Sequence, residues 1–154
     1  MGFIEISPWD FNTHPFSFVG KQKMLLSASD AHATNVMTVA WGGFGVMWGT
    51  PCAFFAIRPS RYTYTLAEAG EHFALMSLSA GYDGALSYCG THSGREGDKL
   101  AAAGLTPLTL PSGALAVGLS PGEQAIITGS DGSGYRVKLK TLELLEGVFS
   151  HRGK

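Results

Sequence analysis

The chain has 154 residues, of which 45% are hydrophobic and 15% charged, with 11 basic against 12 acidic side chains. This length and apolar fraction predict a single domain over residues 1–154, and they exclude a disordered or coiled-coil chain. The formal net charge of −1 gives no general attraction to nucleic acid or to an anionic membrane surface, so neither is an expected partner.

The N-terminus and the cysteines predict a cytoplasmic protein without a bound metal. The first eight residues, MGFIEISP, contain no basic side chain and include Glu5, so they do not resemble a secretory signal. Cys52 and Cys89 are far apart and predict neither a disulfide framework nor a cysteine-rich zinc site. Cys89-x-x-His92 lacks a second pair of ligands, so no metal site is expected there.

Four short apolar segments bounded by turn residues are predicted to be strands: Lys23–Ser29, Asn35–Trp41, Cys52–Ile57 and His72–Ser79. The second and third lie within residues 33–57, which contain no charged side chain and so imitate a membrane span. Glycines and a proline interrupt that stretch too often for a helix: Gly42, Gly43, Gly45, Gly49 and Pro51. Two buried strands joined by a Gly49-Thr50-Pro51 turn therefore fit better than a membrane helix, for which about 20 mostly apolar residues suffice.

Two helices are predicted between and after these strands. Tyr62–Ala69 has a short helical pattern, and Gly70 comes directly after its end. Ser93–Ala103 begins with an S-x-x-E capping box that ends at Glu96, and Gly104 suits the position that follows a helix. Both segments are therefore expected to be continuous helices.

The C-terminal part predicts a hairpin. Gln124–Thr128 and Tyr135–Lys140 flank the glycine-rich residues 129–134, and apolar side chains alternate with basic ones in the second arm. Because most predicted elements are strands, the expected fold class is mostly β with minor α, and its short helices are expected to be peripheral. A small antiparallel barrel is the expected closed form, since it leaves no long unpaired edge.

Basic side chains are rare in the middle of the chain, where only four lie between positions 24 and 135: Arg58, Arg61, Arg95 and Lys99. They form two short segments at predicted helix starts, with Ser60 and Ser93 as the expected N-caps. Helix N-termini attract anions, and an arginine can hold two phosphate oxygens at once. The two segments therefore predict an anion site. The alternative is that these side chains are solvated, or that they pair with nearby carboxylates: Glu68, Glu96 and Asp98.

The remaining motifs predict no catalytic residue. Gly43-x-Gly45 is followed by Trp48 where a dinucleotide fingerprint needs its third glycine. The chain contains neither a phosphate-binding P-loop motif nor a G-x-S-x-G elbow, and its five histidines share no metal-ligand spacing. The aromatic side chains of Trp41, Phe44 and Trp48 are expected to lie in the core.

Three segments of the chain resemble one known family when they are taken together. They are Asn35-Val-Met-Thr-Val-Ala-Trp41-Gly-Gly-Phe-Gly-Val-Met-Trp48-Gly, Arg58-Pro-Ser-Arg-Tyr-Thr63 and Gly90-Thr-His-Ser-Gly-Arg-Glu-Gly-Asp-Lys99. In this order and at these separations they resemble the flavin reductase-like, FMN-binding split-barrel family, which includes flavoredoxins. The resemblance extends from about Phe16 to Pro107, whereas residues 108–154 are shorter than the family's usual C-terminal part and more divergent.

The resemblance implies a split β-barrel, usually a homodimer, with FMN bound non-covalently near the subunit interface. It implies that four residues lie along the flavin: Asn35, Met37, Thr38 and Trp41. It implies that four more face the FMN phosphate: Arg58, Ser60, Arg61 and Thr63. A third group approaches the cofactor as well: Ser93, Gly94, Arg95 and Lys99. Asp98 is expected to orient Arg95 or Lys99.

Three functions follow as hypotheses. The first is an NAD(P)H-dependent flavin reductase, in which the flavin receives hydride at N5 and the protein supplies position and electrostatics. The second is a flavoredoxin-like carrier that takes electrons from a redox protein partner and has no nicotinamide site of its own. The third is a non-redox domain that binds another phosphate ligand.

Overall fold

The structure, a computed structural model, describes residues 5–47, 49–70, 72–78, 81–109, 115–118, 125–130, 140–145 and 148–153. The strands of these ranges are β1 (Glu5–Ile6), β2 (Met24–Ser29), β3 (Thr34–Val39), β4 (Gly42–Met47), β5 (Thr50–Phe55), β6 (His72–Ser77), β7 (Thr106–Thr109), β8 (Leu115–Gly118), β9 (Ala125–Ser130), β10 (Lys140–Leu145) and β11 (Val148–Gly153). The α-helices are α1 (Tyr62–Ala69), α2 (Asp83–Thr91) and α3 (Lys99–Ala102). Shorter 3₁₀ or π turns lie at Pro8–Asp10, Ser17–Lys21 and Gly94–Glu96.

A four-stranded antiparallel sheet in the order β3-β2-β6-β9 carries most of the described buried residues. Successive residues of a strand point to opposite faces, so each face of this sheet supports its own apolar cluster. One cluster includes Leu25, Val36, Ala74, Met76, Leu86, Cys89 and Leu105. The other includes Phe18, Val19, Met24, Leu26, Val39, Ala53 and Leu75. Burial of both faces explains why β2 and β6 are each apolar at four of six positions, including consecutive ones.

The remaining strands form smaller antiparallel sheets. β10 pairs with β1 and with β11, β4 pairs with β5, and β7 pairs with β8. The antiparallel, strand-rich architecture that the sequence predicts is therefore confirmed. The pairings found within the described ranges do not join these sheets into a closed barrel.

Two helices belong to the core, so the prediction of peripheral helices is wrong. Leu66 of α1 is 2% exposed, and Leu86 and Cys89 of α2 pack into the cluster around Leu25. The Thr38 hydroxyl of β3 donates a hydrogen bond to the Leu86 carbonyl and so ties α2 to the sheet. The reason is that an apolar sheet face needs a cover, which these helices provide.

Residues 33–57 form three strands rather than the two that were predicted. Met47 pairs with Thr50, so the hairpin turn precedes the predicted one. Gly49 has a φ of +71°, which a tight hairpin turn requires, and Pro51 lies inside β5 opposite Val46. None of the helices in the described ranges has the length and apolar character needed to cross a membrane.

The prediction of one continuous helix over Ser93–Ala103 is also wrong. A 3₁₀ turn at Gly94–Glu96 ends at Gly97, whose φ of 153° interrupts the helix, and α3 begins anew after Asp98. Ser93 is an N-cap, as predicted. Its hydroxyl accepts a hydrogen bond from the Arg95 amide, whereas a capping box would use the amide of Glu96. Gly104 follows the helix in the predicted left-handed conformation, with a φ of +69°.

Other predicted elements are confirmed. Helix α1 has the predicted bounds, and β2 and β6 agree within two residues of their predicted ends. The first arm of the predicted C-terminal hairpin is strand β9, which pairs with β6. The second arm, Tyr135–Lys140, lies outside the described residues except for Lys140, and so does the predicted core side chain of Trp48.

Candidate functional site

Asn35 of β3 joins the other two segments of the predicted site. Its Nδ2 donates a hydrogen bond of 2.9 Å to Oγ1 of Thr63 in α1, across 28 positions of sequence. On its other side Asn35 lies against Gly94, because a Cβ added to Gly94 would be 2.0 Å from the Asn35 Oδ1. Asn35 is 5% exposed and Thr63 is fully buried. Glycine at position 94 is therefore what allows this close approach.

The turn before α1 presents two arginines and a serine to solvent. The Arg61 amide donates to the Arg58 carbonyl at 2.9 Å, and Ser60 lies exposed between them. The predicted N-cap role of Ser60 is wrong, since Arg61 is the N-cap and no side chain caps the helix. Ser60 lies within the turn, so the extended residue at the start of the helix is Arg61.

Two arginines of the site stack on aromatic rings. The guanidinium carbon of Arg58 lies 4.8 Å from the Trp41 ring centroid, and that of Arg95 lies 4.8 Å from the Tyr62 ring centroid. Trp41 is 55% exposed, so the expectation that it is a core residue is wrong, whereas Phe44 does pack in the core. Stacking orients a guanidinium while leaving its N–H edge available for oxygen acceptors.

Lys99 is the buried cation of the site. It is 7% exposed at the start of α3, and within the described ranges its ammonium has neither a hydrogen bond nor an ion pair. Burial lowers the pKa of Lys99, a negative charge on Cys89 would oppose that shift, and the positive charge of Arg61 lowers the pKa further. Burial likewise raises the pKa of Cys89. A buried ammonium without a partner is costly, and an anion would relieve that cost.

Among the residues that the structure describes, no carboxylate forms an ion pair with the cation cluster, by which we mean Arg58, Arg61, Arg95 and Lys99. Pairing with Glu68, Glu96 or Asp98, one alternative to an anion site, is therefore not found in these ranges. Solvation, the other alternative, does apply to Arg58, Arg61 and Arg95, which are exposed, but not to the buried Lys99. Asp98 caps α3 through a 3.1 Å hydrogen bond from the Ala101 amide, rather than orienting Arg95 or Lys99. The positive charges of the cluster are therefore not neutralised by a carboxylate of the described ranges.

Two predicted site residues have side chains used elsewhere. Met37 packs against the apolar cluster around Leu26, while the Thr38 hydroxyl bonds to α2. They lie on opposite faces of β3, because neighbouring residues of a strand alternate. The Met37 side chain therefore lies in the core, whereas the Thr38 side chain lies against Gly90, where an added Cβ would be 3.4 Å from the Thr38 Cβ.

The Tyr62 side chain and the Gly90 carbonyl belong to the site, although the sequence predicted no role for either. Tyr62 lies under Arg95, and the Gly90 carbonyl accepts a long 3.5 Å hydrogen bond from Arg61. Helix α2, which carries Gly90, was not predicted either. Its signal was the apolar i, i+3 pair Leu86 and Cys89 after the acidic Asp83, which the two glycines of the segment obscured.

The chemistry that this arrangement supports is the binding of a multiply charged anion beside aromatic rings. The Arg61 guanidinium and the Lys99 ammonium, from separate segments, lie close enough to interact, and no carboxylate of the described ranges pairs with them, which suits the oxygens of a phosphate group. In the described part of the chain, no group of three His, Cys, Asp or Glu side chains could hold a metal ion.

Comparisons with known proteins found one family model and several similar folds. The family model for the flavin reductase like domain matches residues 17–125. Among solved structures, the fold is similar to the FMN-binding domain of a flavin reductase-like enzyme from Shewanella baltica OS155, with a TM-score of 0.67 at 12% identity, covering 94% of this chain and 73% of that one. It is also similar to flavoredoxin of Desulfovibrio vulgaris (Miyazaki F), with a TM-score of 0.65 at 24% identity, covering 86% of this chain and 67% of that one. Flavoredoxin from Methanosarcina acetivorans gives 0.61 at 17% identity, covering 88% and 69%. No curated protein has a significant match.

Proposed function

This chain belongs to the flavin reductase-like domain family, and from that premise we propose that it binds FMN through the cation cluster defined above. The phosphate of FMN is the anion that the cluster would hold. Bound FMN would supply hydride or electron transfer, while this chain supplies position and charge.

The observation that carries the proposal is the buried ammonium of Lys99, which has no partner among the residues that the structure describes. It is 7% exposed and lies close enough to Arg61 for the two charges to repel. A protein retains such a group at a cost to its folding free energy unless a ligand pairs with it. A phosphate dianion matches this need, because it neutralises two cations from separate segments at once.

The remaining cluster residues would complete the phosphate site. Arg58 and Arg95 are exposed and oriented by their aromatic partners, so their N–H groups can reach a ligand without losing much side-chain freedom. The hydroxyls of Ser60 and Ser93 lie beside them in sequence. Following the family resemblance, we place the flavin rings along Trp41 and β3, where Met37 and Thr38 would contribute through the backbone.

The absorption spectrum of the purified protein, before and after addition of FMN and removal of the excess, tests this proposal. We expect flavin bands that remain with the protein. A colourless protein whose melting temperature does not respond to excess FMN would contradict the proposal and favour a different phosphate ligand, since a ligand that binds only the native state must stabilise it.

The activity that we propose is NAD(P)H-dependent flavin reduction. Oxidation of NADH or NADPH in the presence of FMN measures it directly. The similarity to two flavoredoxins supports the second candidate, an electron carrier served by a protein donor. An FMN-loaded protein that ignores both nicotinamides, yet is reduced by a ferredoxin-type donor, would establish the carrier instead.

The family resemblance of the sequence implies closure of the sheets into a split barrel and a homodimer, and we propose both for this chain. Light scattering on the purified protein measures its mass in solution against the 16.3 kDa of one chain. A monomer that binds FMN fully would contradict the dimeric site. A cytoplasmic location stays a prediction.

Substitution of the exposed arginines should separate phosphate binding from folding. We expect Arg58→Ala and Arg61→Ala each to weaken FMN binding by about 1.5–3 kcal/mol, the value of a charge-assisted hydrogen bond. Riboflavin, which has no phosphate, should bind both variants almost as it binds the wild type. Isothermal titration with the two flavins measures the difference. Lys21→Ala removes one exposed charge outside the cluster and is the control; equal losses for both flavins would contradict a phosphate role.

FMN affinity should fall as the pH rises through the titration of Lys99. The pKa of Lys99 is lowered in the ligand-free protein, and a bound phosphate would raise it again by its negative charge. Between those two pKa values binding takes up a proton, so affinity decreases with rising pH, by up to about tenfold per pH unit.

Titrations above pH 7, where the phosphate is fully ionised because its second pKa is about 6, measure this dependence. Riboflavin should show none of it. An FMN affinity that stays constant up to the pH at which the protein unfolds would mean that Lys99 does not meet the phosphate.

A further inference from the structure

We propose that Tyr62 is a positioning residue for Arg95, and that through this arginine it favours FMN over flavins that lack the phosphate. The inference rests on the proposed function for its ligand. It assigns to that site a residue that neither the charge pattern nor the family resemblance had given a role. Tyr62 acts on the phosphate through Arg95 and not through its own hydroxyl.

The surroundings of the Arg95 side chain are the first reason. Its guanidinium carbon lies 4.8 Å from the centroid of the Tyr62 ring, and within the described ranges the guanidinium has neither a hydrogen bond nor an ion pair. Arg95 is exposed, so without the ring its long side chain would sample many rotamers. A guanidinium that rests on a ring face keeps the N–H groups of its edge available for phosphate oxygens. The stack therefore reduces the side-chain freedom that Arg95 loses when a phosphate binds.

The restricted position of the ring is the second reason. Tyr62 is the first residue of α1 and is half-buried, between the N-cap Arg61 and the fully buried Thr63. A tyrosine has only two side-chain torsions, and partial burial restricts them further, so the ring is the less mobile partner of the stack. The Tyr62 hydroxyl has no hydrogen bond to another described residue. The ring face is therefore the part of this side chain that meets the cation cluster.

The other aromatic stack of the cluster provides a contrast. Trp41 carries Arg58 at the same distance of 4.8 Å, but Trp41 is 55% exposed, and the proposed function places it along the flavin rings. Replacement of Trp41 should therefore weaken the binding of FMN and riboflavin alike. Replacement of Tyr62 should weaken binding only where a phosphate is present, because this ring acts through Arg95.

Isothermal titration with FMN and riboflavin tests the inference on Tyr62→Leu, Tyr62→Phe, Arg95→Ala and the double variant of Tyr62→Leu with Arg95→Ala. We expect Tyr62→Leu to lower FMN affinity about two- to fivefold, the value of an exposed cation–π contact, and to leave riboflavin affinity unchanged. Tyr62→Phe keeps the ring and should bind both flavins as the wild type does. In the Arg95→Ala background, Tyr62→Leu should have no further effect on FMN affinity, because the two side chains act as one unit.

Tyr64→Leu is the matched control. Tyr64 is a half-buried tyrosine of the same helix, and the two-residue step places it about 200° around the helix axis from Tyr62. The same substitution there should leave the ratio of FMN to riboflavin affinity unchanged. An equal fall of that ratio in both leucine variants would contradict the inference, because it would show a general effect on α1.

The stack can also be observed in the ligand-free protein. A proton above the face of an aromatic ring is shielded by the ring current, so the nuclear magnetic resonance signal of the Arg95 Nε–H proton should lie upfield. The loss of this signal in Arg95→Lys assigns it. We expect the signal to move downfield in Tyr62→Leu and to stay in place in Tyr62→Phe. A signal that is the same in all three proteins would show that the ring does not orient the arginine.

The outcomes separate the role of Tyr62 from other roles. Additive losses in the double variant would overturn the inference, and a Tyr62→Phe variant that loses as much FMN affinity as Tyr62→Leu would replace the stack with a hydroxyl contact. A lower free energy of unfolding with an unchanged affinity ratio would show a merely structural residue and would also overturn it. A wild-type protein that binds no FMN would overturn the proposed function and the selectivity together. FMN binding with an unchanged ratio in Tyr62→Leu would overturn the role of Tyr62 alone.

Discussion

Lys99→Met should weaken FMN binding by about 10- to 150-fold and at the same time raise the free energy of unfolding of the ligand-free protein. The loss of affinity is that of a charge-assisted hydrogen bond, about 1.5–3 kcal/mol. The gain in stability follows from burial, because methionine has a similar length but no charge to remove from water. A residue retained at a cost to folding is one that binding requires.

The stability difference should depend on pH with a definite sign. The folded-state pKa of Lys99 lies below its ordinary value, so the unfolded chain binds more protons between the two pKa values and wild-type stability rises with pH there. Below that window the ammonium is charged in both states and the full cost of burying it remains. The advantage of Lys99→Met should therefore be largest at neutral pH and shrink as the pH rises through the window.

Urea denaturation of both proteins without ligand, and titration of each with FMN and riboflavin, measure these effects. Lys21→Met is the matched control, since Lys21 is exposed and outside the cation cluster. A Lys99→Met protein that loses stability and keeps its FMN affinity would show that the lysine supports the fold. It would then remove the observation on which the proposed function depends.

Gly70→Ala should destabilise the protein on the order of 3 kcal/mol, the upper part of the range for overpacking a core. A Cβ at this position would lie 1.7 Å from the Ser29 carbonyl oxygen and 2.9 Å from that of Leu66. Both atoms belong to the backbone. Ser29 is held on both sides by its pairing with Thr34 and His72, so it cannot give way cheaply.

The chain offers a matched control for this substitution within another helix. Gly84 lies near the start of α2, and a Cβ added there meets nothing within 4 Å. Gly84→Ala should stabilise the protein by up to about 1 kcal/mol through helix propensity. Urea midpoints with unchanged slopes measure both effects, and similar behaviour of the two variants would contradict the close packing of α1 on β2.

Gly70 also shows how a correct prediction can have a different cause. The sequence places a glycine directly after α1, where a left-handed residue often ends a helix. In the structure Gly70 has a φ of −89°, and its amide donates to the Leu66 carbonyl at 2.8 Å. The glycine is needed because β2 passes close by, and no local pattern of residues contains that contact.

Elements defined by local physics were the ones that the sequence predicted well. Helix α1 and strands β2 and β6 have short, consistent patterns, and the glycine after α3 has the left-handed backbone expected of it. Strand β4 and helix α2 were missed, because their glycines weigh against any regular element unless packing compensates. The helix predicted over Ser93–Ala103 is interrupted at Gly97, although Ser93, Glu96 and Gly104 all favoured a continuous helix.

The sequence by itself determined the family and the identity of the four rare cations, because both depend on which residue types occur in which order. Only the tertiary structure decided how those cations differ, since burial and stacking depend on groups that are remote in sequence. Lys99 is buried near Cys89 and Arg61, and the Arg58 guanidinium stacks on the Trp41 ring. Asn35 meets Thr63 across 28 positions, and such a contact exists only after the sheet and its helices have packed.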